Sequence, residues 1–160
     1  MFKFLLMFQL AIIPLKGYHH EGMRDTTRPY VVLHSDESST TKGALSYLRH
    51  TRKAYHYYID RRGKVYQLVN PKYMANHAGW SFYNGLLHWN EFSIGVAFAN
   101  SHQPYTEAQY KSGKLLMDKL RKQYPDLQIV THHDIAKFRG KTDPKGFNES
   151  RLGASNGRTK

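Results

Sequence analysis

The stretch Phe92-Ser-Ile-Gly-Val-Ala-Phe-Ala99 is apolar almost throughout and predicts a central β-strand. Gly95 within it would allow a neighbouring group to approach the backbone closely. A second continuous apolar run, from Tyr30 to Leu33, is typical of a strand that is covered on both faces, and it ends at His34. The two runs together indicate a sheet whose core strands are buried on both sides.

The segments around these strands predict a mixed α/β fold. Ser, Thr and Gln residues at cap positions mark two helix starts, and Pro125 marks one helix end. The remaining predicted elements are a helix from about 41 to about 52, a hairpin of strands 55–60 and 64–69 joined by Arg61-Arg62-Gly63, a helix from about 107 to 124, and a short strand over 128–131. We therefore expect a single α/β domain with a central mixed β-sheet flanked by helices.

Length and composition suggest how the chain is divided. Its 160 residues are about one domain, which we place at 29–147. Residues 1–16 are either an export signal or a structural arm, because their apolar run is shorter than the roughly 20 residues that span a bilayer. We expect an irregular lead-in at 17–28, a flexible basic tail at 148–160, and no transmembrane segment.

The charge and the aromatic content limit the partners. A formal net charge of +12 predicts a polyanionic partner, such as nucleic acid, an anionic membrane or the anionic polymers of a bacterial envelope. Specific nucleic-acid recognition is not expected, because the basic residues are scattered and no recognised binding motif is present. The 14% aromatic content indicates that some rings line a groove for an extended or sugar-containing substrate.

Histidines and an aspartate near the predicted strand ends indicate a metal site. The chain has 10 His and no Cys, so a tightly held metal must use imidazole and carboxylate ligands. Candidate ligands are His34, one of His132 and His133, and Asp143. Three such ligands with an open fourth position are typical of catalytic zinc, which lowers the pKa of a bound water and polarises a carbonyl. Hydrolysis of an amide is the natural task for such a site.

Five segments, in the right order and covering roughly residues 29–147, resemble the zinc-dependent N-acetylmuramoyl-L-alanine amidases of the amidase-2 type. That family includes phage T7 lysozyme and the animal peptidoglycan recognition proteins. The segments are Val32-Leu33-His34, Tyr55-His56-Tyr57, His77-Ala78-Gly79, Ser93-Ile94-Gly95-Val96, and the stretch from His132 through Lys141-Thr142-Asp143-Pro144. The last of these is the most specific.

The resemblance implies a role for each matching residue. The zinc ligands would be His34, His132 and Asp143, with His132 preferred to His133 because the family's ligand stands four residues before the alanine matched by Ala136. Lys141 would stabilise the transition state, as a cation beside zinc can do for a developing oxyanion.

Three further positions follow from the same resemblance. Tyr55 would hydrogen-bond the zinc water or the tetrahedral intermediate. Ala97 stands where some bacterial members carry a glutamate, which favours the branch that relies on the tyrosine. The loop with His77 and Trp80 would wall the peptide-binding groove, although these residues could equally close a small core.

We therefore expect a monomeric enzyme that uses Zn²⁺ to hydrolyse the amide between N-acetylmuramic acid and L-alanine in peptidoglycan. It would work in the cell envelope or as a secreted protein, for example as a bacteriolytic phage endolysin, and its charge would hold it on anionic cell-wall polymers. One alternative is a non-catalytic peptidoglycan receptor. Another is a regulatory or nucleic-acid-binding protein in which the metal is structural.

Overall fold

The computed structural model of the protein describes residues 9–153, which form a six-stranded sheet, a small hairpin and three α-helices. The sheet strands are β1 Ile12–Pro14, β2 Tyr30–Ser35, β3 Tyr57–Ile59, β4 Val65–Gln67, β7 Ser93–Phe98 and β8 Gln128–Thr131; the hairpin is β5 Phe82–Tyr83 with β6 Leu86–Leu87. The helices are α1 Thr41–Arg49, α2 Glu107–Gln123 and α3 His132–Ala136, and short 3₁₀ turns cover Trp89–Glu91, Lys137–Arg139 and Glu149–Leu152.

The sheet is mixed, as the sequence predicted. Its strand order is β1-β4-β3-β7-β2-β8, and only the β3–β4 pair is antiparallel. The predicted central strand, β7, is buried at all six positions and pairs with β2 from Ser93 opposite Tyr30 to Phe98 opposite Ser35. Two parallel strands buried on both faces explain the two continuous apolar runs.

Helices cover both faces of the sheet. On one face Val31 and Leu33 of β2 pack in a core cluster with Leu116 and Met117 of α2. The other face carries two clusters, one involving α1 through Ala44 and Leu48 and one involving α3 through Ile135 and Ala136. Because side chains alternate along a strand, His34 lies on the face opposite Leu33, towards α1 and α3.

The topology brings the candidate ligands to one edge of the sheet. His34 is the last residue but one of β2, and His132 is the first residue of α3, which follows β8 directly. Since β2 and β8 are parallel neighbours, their carboxyl ends meet at the same edge, where open α/β sheets bind their ligands.

The loop over residues 71–90 holds a hairpin that we did not predict. Strands β5 and β6 are joined by Asn84 and Gly85, both of which have positive φ angles. An Asn-Gly pair between short apolar segments is a strong hairpin signal, but two-residue strands give no periodicity to recognise. The predicted strands 55–60 and 64–69 are also shorter in the structure, at three residues each.

Described residues on both sides of the predicted domain also belong to the fold. Strand β1 adds a parallel edge to β4, while residues 1–8 of the predicted signal or arm lie outside the described residues. Residues 17–28 contain only an isolated bridge from Met23 to Tyr73. The packed fold continues past residue 147, because Leu152 is fully buried in the cluster that covers α2; residues 154–160 of the predicted tail are not described. Within 9–153 no helix is long and apolar enough to cross a membrane.

Candidate active site

His34, His132 and Asp143 converge at the sheet edge. All three are buried, with 1%, 6% and 7% of their surface exposed. Asp143 Oδ2 lies 3.4 Å from His34 Nδ1, Asp143 Oδ1 lies 3.0 Å from His132 Nδ1, and one ligand atom from each residue falls within 4.8 Å of the others. Tetrahedral zinc with bonds of about 2.0–2.2 Å separates its ligand atoms by about 3.4 Å. The spacing therefore fits a zinc ion.

The hydrogen bonds behind His34 determine which of its nitrogens faces the site. His77 Nε2 lies 3.4 Å from the carbonyl oxygen of Ser93, which can only accept, so the His77 proton belongs on Nε2. His77 Nδ1 is then free to accept from Nε2–H of His34 at 3.0 Å. The lone pair of His34 is consequently on Nδ1, the atom that faces Asp143.

His132 is oriented in the same sense by a backbone group. Its Nε2 lies 3.2 Å from the carbonyl oxygen of Ala78, so the proton belongs on Nε2 and the lone pair on Nδ1. Two imidazole lone pairs and a carboxylate thus face one another in a buried space. Three electron-pair donors in that arrangement are satisfied by a cation at their centre.

The loop that supplies both supports is itself fixed. Asn90 Oδ1 accepts from the backbone N–H groups of His77 and Ala78 at 3.0 and 2.7 Å. Arg139 donates to the same Ala78 oxygen at 2.7 Å. One side-chain amide therefore holds the two adjacent residues that orient the two histidine ligands.

Gly95 makes room for the ring of His77. A Cβ placed on Gly95 would lie 2.5 Å from Cγ of His77, closer than real contacts allow. The sequence predicted a close approach at Gly95, and the structure confirms it. His56, the residue before β3, packs at the same place: its Nδ1 accepts from the Gly95 N–H at 2.9 Å, and its ring centroid lies 5.7 Å from that of His77.

Burial controls the protonation of these groups. It lowers the pKa of His34 and of His56 to about 4, and it lowers the pKa of His77 well below its usual value. Burial pushes the pKa of Asp143 upward, but the adjacent side chains of His132 and His34 hold it well below its ordinary range. Neutral imidazoles and an ionised carboxylate are the forms that bind metal.

His133 is turned away from the site. It is exposed, its Nδ1 lies 2.8 Å from the carbonyl oxygen of Lys141, and its backbone N–H donates to the carbonyl oxygen of Asp143 at 2.9 Å. A capping box between Thr131 and Asp134 starts α3 at His132, so that His133 is the second residue of the helix. Of the two adjacent histidines, only His132 faces the site, while His133 holds the loop that carries Asp143.

Tyr55 and Lys141 border the same cavity, which has a volume of about 650 Å³. The ring centroid of Tyr55 lies 5.0 Å from that of His34. Burial, and after it the negative charges of Asp143, Asp36 and Glu37, raise the pKa of Tyr55, so its hydroxyl keeps its proton and can donate. Lys141 is exposed at the cavity wall beside the ligands.

The two predicted groove residues occupy different places. His77 is 8% exposed and lies beneath His34, which fits support of a ligand better than contact with substrate. Trp80 is 69% exposed and packs edge-on against Phe138, with ring centroids 6.3 Å apart. We had not predicted Asn90 or Arg139, since neither lies in a periodic segment.

Known proteins resemble this chain in sequence. An N-acetylmuramoyl-L-alanine amidase family profile matches residues 24–146. The 1,6-anhydro-N-acetylmuramyl-L-alanine amidase AmpD of Haemophilus influenzae is 40% identical over 97 residues, which are 58% of this chain and 52% of AmpD. AmpD of Escherichia coli is 38% identical over 100 residues. The chain spans about half the length of the curated relatives it matches.

Solved structures are also similar. A selenomethionine derivative of AmpD aligns with a TM-score of 0.73 at 26% identity, covering 88% of this chain and 92% of that one. The amidase AmiD of Escherichia coli, in complex with anhydro-N-acetylmuramic acid-L-Ala-D-γ-Glu-L-Lys, aligns with a TM-score of 0.72 at 25% identity, covering 79% of this chain and 56% of that one. With a profile match over well more than half of its length and this shared fold, the chain belongs to the N-acetylmuramoyl-L-alanine amidase family of the amidase-2 type.

Proposed function

We propose that the protein is a zinc-dependent amidase that hydrolyses the bond between N-acetylmuramic acid and L-alanine in peptidoglycan or its fragments. The observation that carries this proposal is the convergence of three electron-pair donors, from His34, His132 and Asp143, at the base of an open groove. Family membership supports the reaction. When bound, zinc would supply a Lewis acid for the amide carbonyl and an acidified water.

The residues around the ligands suit amide hydrolysis. The Lys141 ammonium borders the cavity next to Asp143 and can stabilise negative charge that develops on the amide oxygen. Tyr55 lies on the other side of His34 with a protonated hydroxyl that can orient the attacking water. Because Ala97 provides no carboxylate, the proton acceptor differs from the glutamate of some bacterial members.

The groove also matches the charges of a muropeptide. The peptide in the AmiD complex contains a γ-linked D-Glu, which leaves a free α-carboxylate, and an L-Lys with an ammonium group. The groove here presents cations at Lys53 and Arg139 and a carboxylate at Glu37. We propose that these charged groups bind the carboxylate and the ammonium group of the stem peptide, and that Trp80 covers the peptide at the rim of the groove.

Three parts of the prediction stay predictions: the bacteriolytic or phage role, the location and the oligomeric state. The named relatives are bacterial AmpD amidases, so we propose hydrolysis of muropeptides or peptidoglycan without assigning a bacteriolytic or phage role. A location in the cell envelope or outside the cell likewise stays a prediction, as does a monomeric state.

The test is the release of new amino-terminal L-alanine from peptidoglycan and from a soluble muropeptide. We expect release by the zinc-loaded protein, loss with a chelator, and recovery when zinc is restored. Zinc-loaded protein that binds muropeptide but releases no alanine would instead be the non-catalytic receptor.

Lys141→Met sharpens this distinction. Loss of one group that stabilises the oxyanion lowers kcat by about 10²–10³-fold, while zinc affinity and muropeptide binding should stay close to wild type. If the metal were only structural, Lys141→Met would change neither turnover nor binding.

A further inference from the structure

A second groove lies on the opposite side of α1 from the candidate active site. Residues Tyr47 and Leu48 of α1 border the active-site cavity, whereas Leu45 and Arg49 of the same helix border the second groove. The groove has a volume of about 760 Å³, and its other walls are the β3–β4 turn and the segment around Tyr18. A helix is about 10 Å across, so one extended molecule could contact both grooves.

The second groove is strongly basic. Its lining includes five side chains that carry fixed positive charge: Lys42, Arg49, Arg61, Arg62 and Lys64. No salt bridge within residues 9–153 involves any of the five, although other basic residues of the protein form such pairs. A cluster of uncompensated cations in one groove repels itself and is stabilised by an anion.

The carboxylate in the groove does not neutralise these cations. Asp60 is 7% exposed, and its Oδ1 accepts from the backbone N–H groups of Arg62 and Lys64, both at 2.9 Å. The carboxylate therefore shapes the turn and forms no ion pair with those side chains, and its single negative charge leaves the five cations in excess.

The turn that carries three of the cations is anchored to α2 and the residue before it. Thr106 Oγ1 donates to the carbonyl oxygen of Arg61 at 2.8 Å, and Ser112 Oγ donates to that of Gly63 at 2.6 Å. A Cβ on Gly63, whose φ is +81°, would lie 2.7 Å from the carbonyl oxygen of Ala108. A backbone packed this closely presents its cations from a fixed position, which lowers the entropy lost on binding.

Two buried polar atoms at the groove lack partners. Among the described residues, the buried side-chain nitrogen and oxygen atoms without a hydrogen bond are Tyr18 OH and Arg61 Nη1. Both residues line this groove, and both atoms can donate. Buried donors without partners are uncommon, and both occur in side chains that line this groove.

The amino-terminal end of α1 also favours the binding of an anion in this groove. Its first turn contains Lys42 and no acidic residue, although the helix dipole favours negative charge at this end. A bound anion would offset the unfavourable position of Lys42.

We propose that this groove binds a phosphodiester polymer associated with the cell wall, and that it thereby holds the protein beside its peptidoglycan substrate. The second half of this statement rests on the proposed amidase function. Nucleic acid fits less well, because sites for single strands stack bases on accessible rings, whereas Tyr18 is 6% exposed and Tyr66 is half-buried.

The test compares two variants of the full chain with equal net charge. The groove variant is Lys42→Gln/Arg62→Gln/Lys64→Gln, and the control is Lys72→Gln/Lys119→Gln/Lys122→Gln, whose exposed lysines line neither groove. The probes are poly(glycerol phosphate), a single-stranded oligodeoxynucleotide of the same charge, and uncharged dextran, each titrated at several salt concentrations.

We expect wild type and control to bind poly(glycerol phosphate) at least as tightly as the oligodeoxynucleotide and to ignore dextran. For the groove variant, affinity for the polymer should fall by about tenfold or more, and the slope of log K against log salt should shrink by about 2. Hydrolysis of a soluble muropeptide, which carries no phosphodiester, should be the same in all three proteins.

Equal losses in the two variants would overturn the groove assignment, and so would absence of polymer binding by the wild type. A clear preference for the oligodeoxynucleotide would show that the groove binds nucleic acid, and this result would overturn the proposed partner. The result for the amidase is separate: a wild type that binds the polymer but cleaves no muropeptide refutes the proposed function and leaves the groove's ligand in place.

Discussion

Two regions of the molecule build the candidate metal centre in different ways. The ligands His34 and His132 come from the carboxyl ends of two neighbouring strands, whereas their supports, His77 and Ala78, come from the irregular loop 71–90. The strands bring the imidazoles to the same place, and the loop determines which nitrogen of each ring faces Asp143. Position and orientation are therefore separate properties of this site, and each can be tested alone.

The largest loss of zinc affinity should come from removing a candidate ligand at the end of a strand. We expect His132→Ala to weaken zinc binding by more than about 100-fold and to abolish amide hydrolysis. This loss exceeds the one typical of removing a residue that only hydrogen-bonds to a metal ligand. Its adjacent control is His133→Ala, which removes an imidazole that faces the Lys141 carbonyl and should retain most zinc affinity. Competition with a chromogenic chelator measures both, and similar losses in the two variants would mean that the ligand is misassigned.

Removing the loop residue His77, which orients His34, should lower zinc affinity by a smaller factor. His77→Ala leaves all three ligands but frees the ring of His34, and we expect zinc affinity to fall by about 10–100-fold. His77→Gln offers an amide that can accept and donate in place of the two ring nitrogens, so it should recover part of the affinity. If both variants bind zinc like the wild type, the loop does not orient the ligand.

The pH dependence of stability tests the buried histidines without metal. Burial lowers the pKa of His34 and His56 from 6.5 to about 4, so the unfolded chain takes up protons before the native protein does. The free energy of unfolding should fall as the pH drops from about 6.5 towards 4, by up to about 1.4 kcal/mol per pH unit for each histidine. Urea unfolding of the metal-free protein measures this slope. His56→Gln should reduce it, and a flat profile in the wild type would contradict the assigned burial.

The smallest effect should come from the outer part of the loop. Trp80 is 69% exposed and packs against Phe138, so Trp80→Ala should leave zinc affinity unchanged. If Trp80 covers the stem peptide, KM for a muropeptide should rise by about two- to tenfold, as for the loss of one aromatic contact. An unchanged KM would remove Trp80 from the substrate site.

The sequence predicted the convergence of His34, His132 and Asp143 better than the groups around them, for physical reasons. Buried parallel strands give apolar runs, and a polar residue at the end of such a run stands out, as His34 does. The periodicity of the apolar residues could not choose between His132 and His133, because that choice depends on where α3 begins. The Thr131-His-His-Asp134 sequence does contain a capping box that would have placed His132 at the helix start.

The residues that orient the candidate ligands, and those of the basic groove, are harder to predict from the sequence. Asn90 acts through two hydrogen bonds across a sequence separation of 12 and 13 residues, and a lone Asn in a loop gives no indication of its partners. The basic groove combines a helix, a turn and an amino-terminal segment. Its cations look scattered in the sequence, and only the fold brings them together.

The absence of a side chain at Gly95 has a consequence for how this protein tolerates change. Gly95 is in the middle of a central strand, where a β-branched residue would suit the backbone better. Its conformation does not require glycine, because its φ angle is not positive. What excludes a methyl group there is the His77 ring. A methyl group at position 95 would thus displace the imidazole that supports His34, so glycine is required here by the neighbouring His77 ring and not by the conformation of its own backbone.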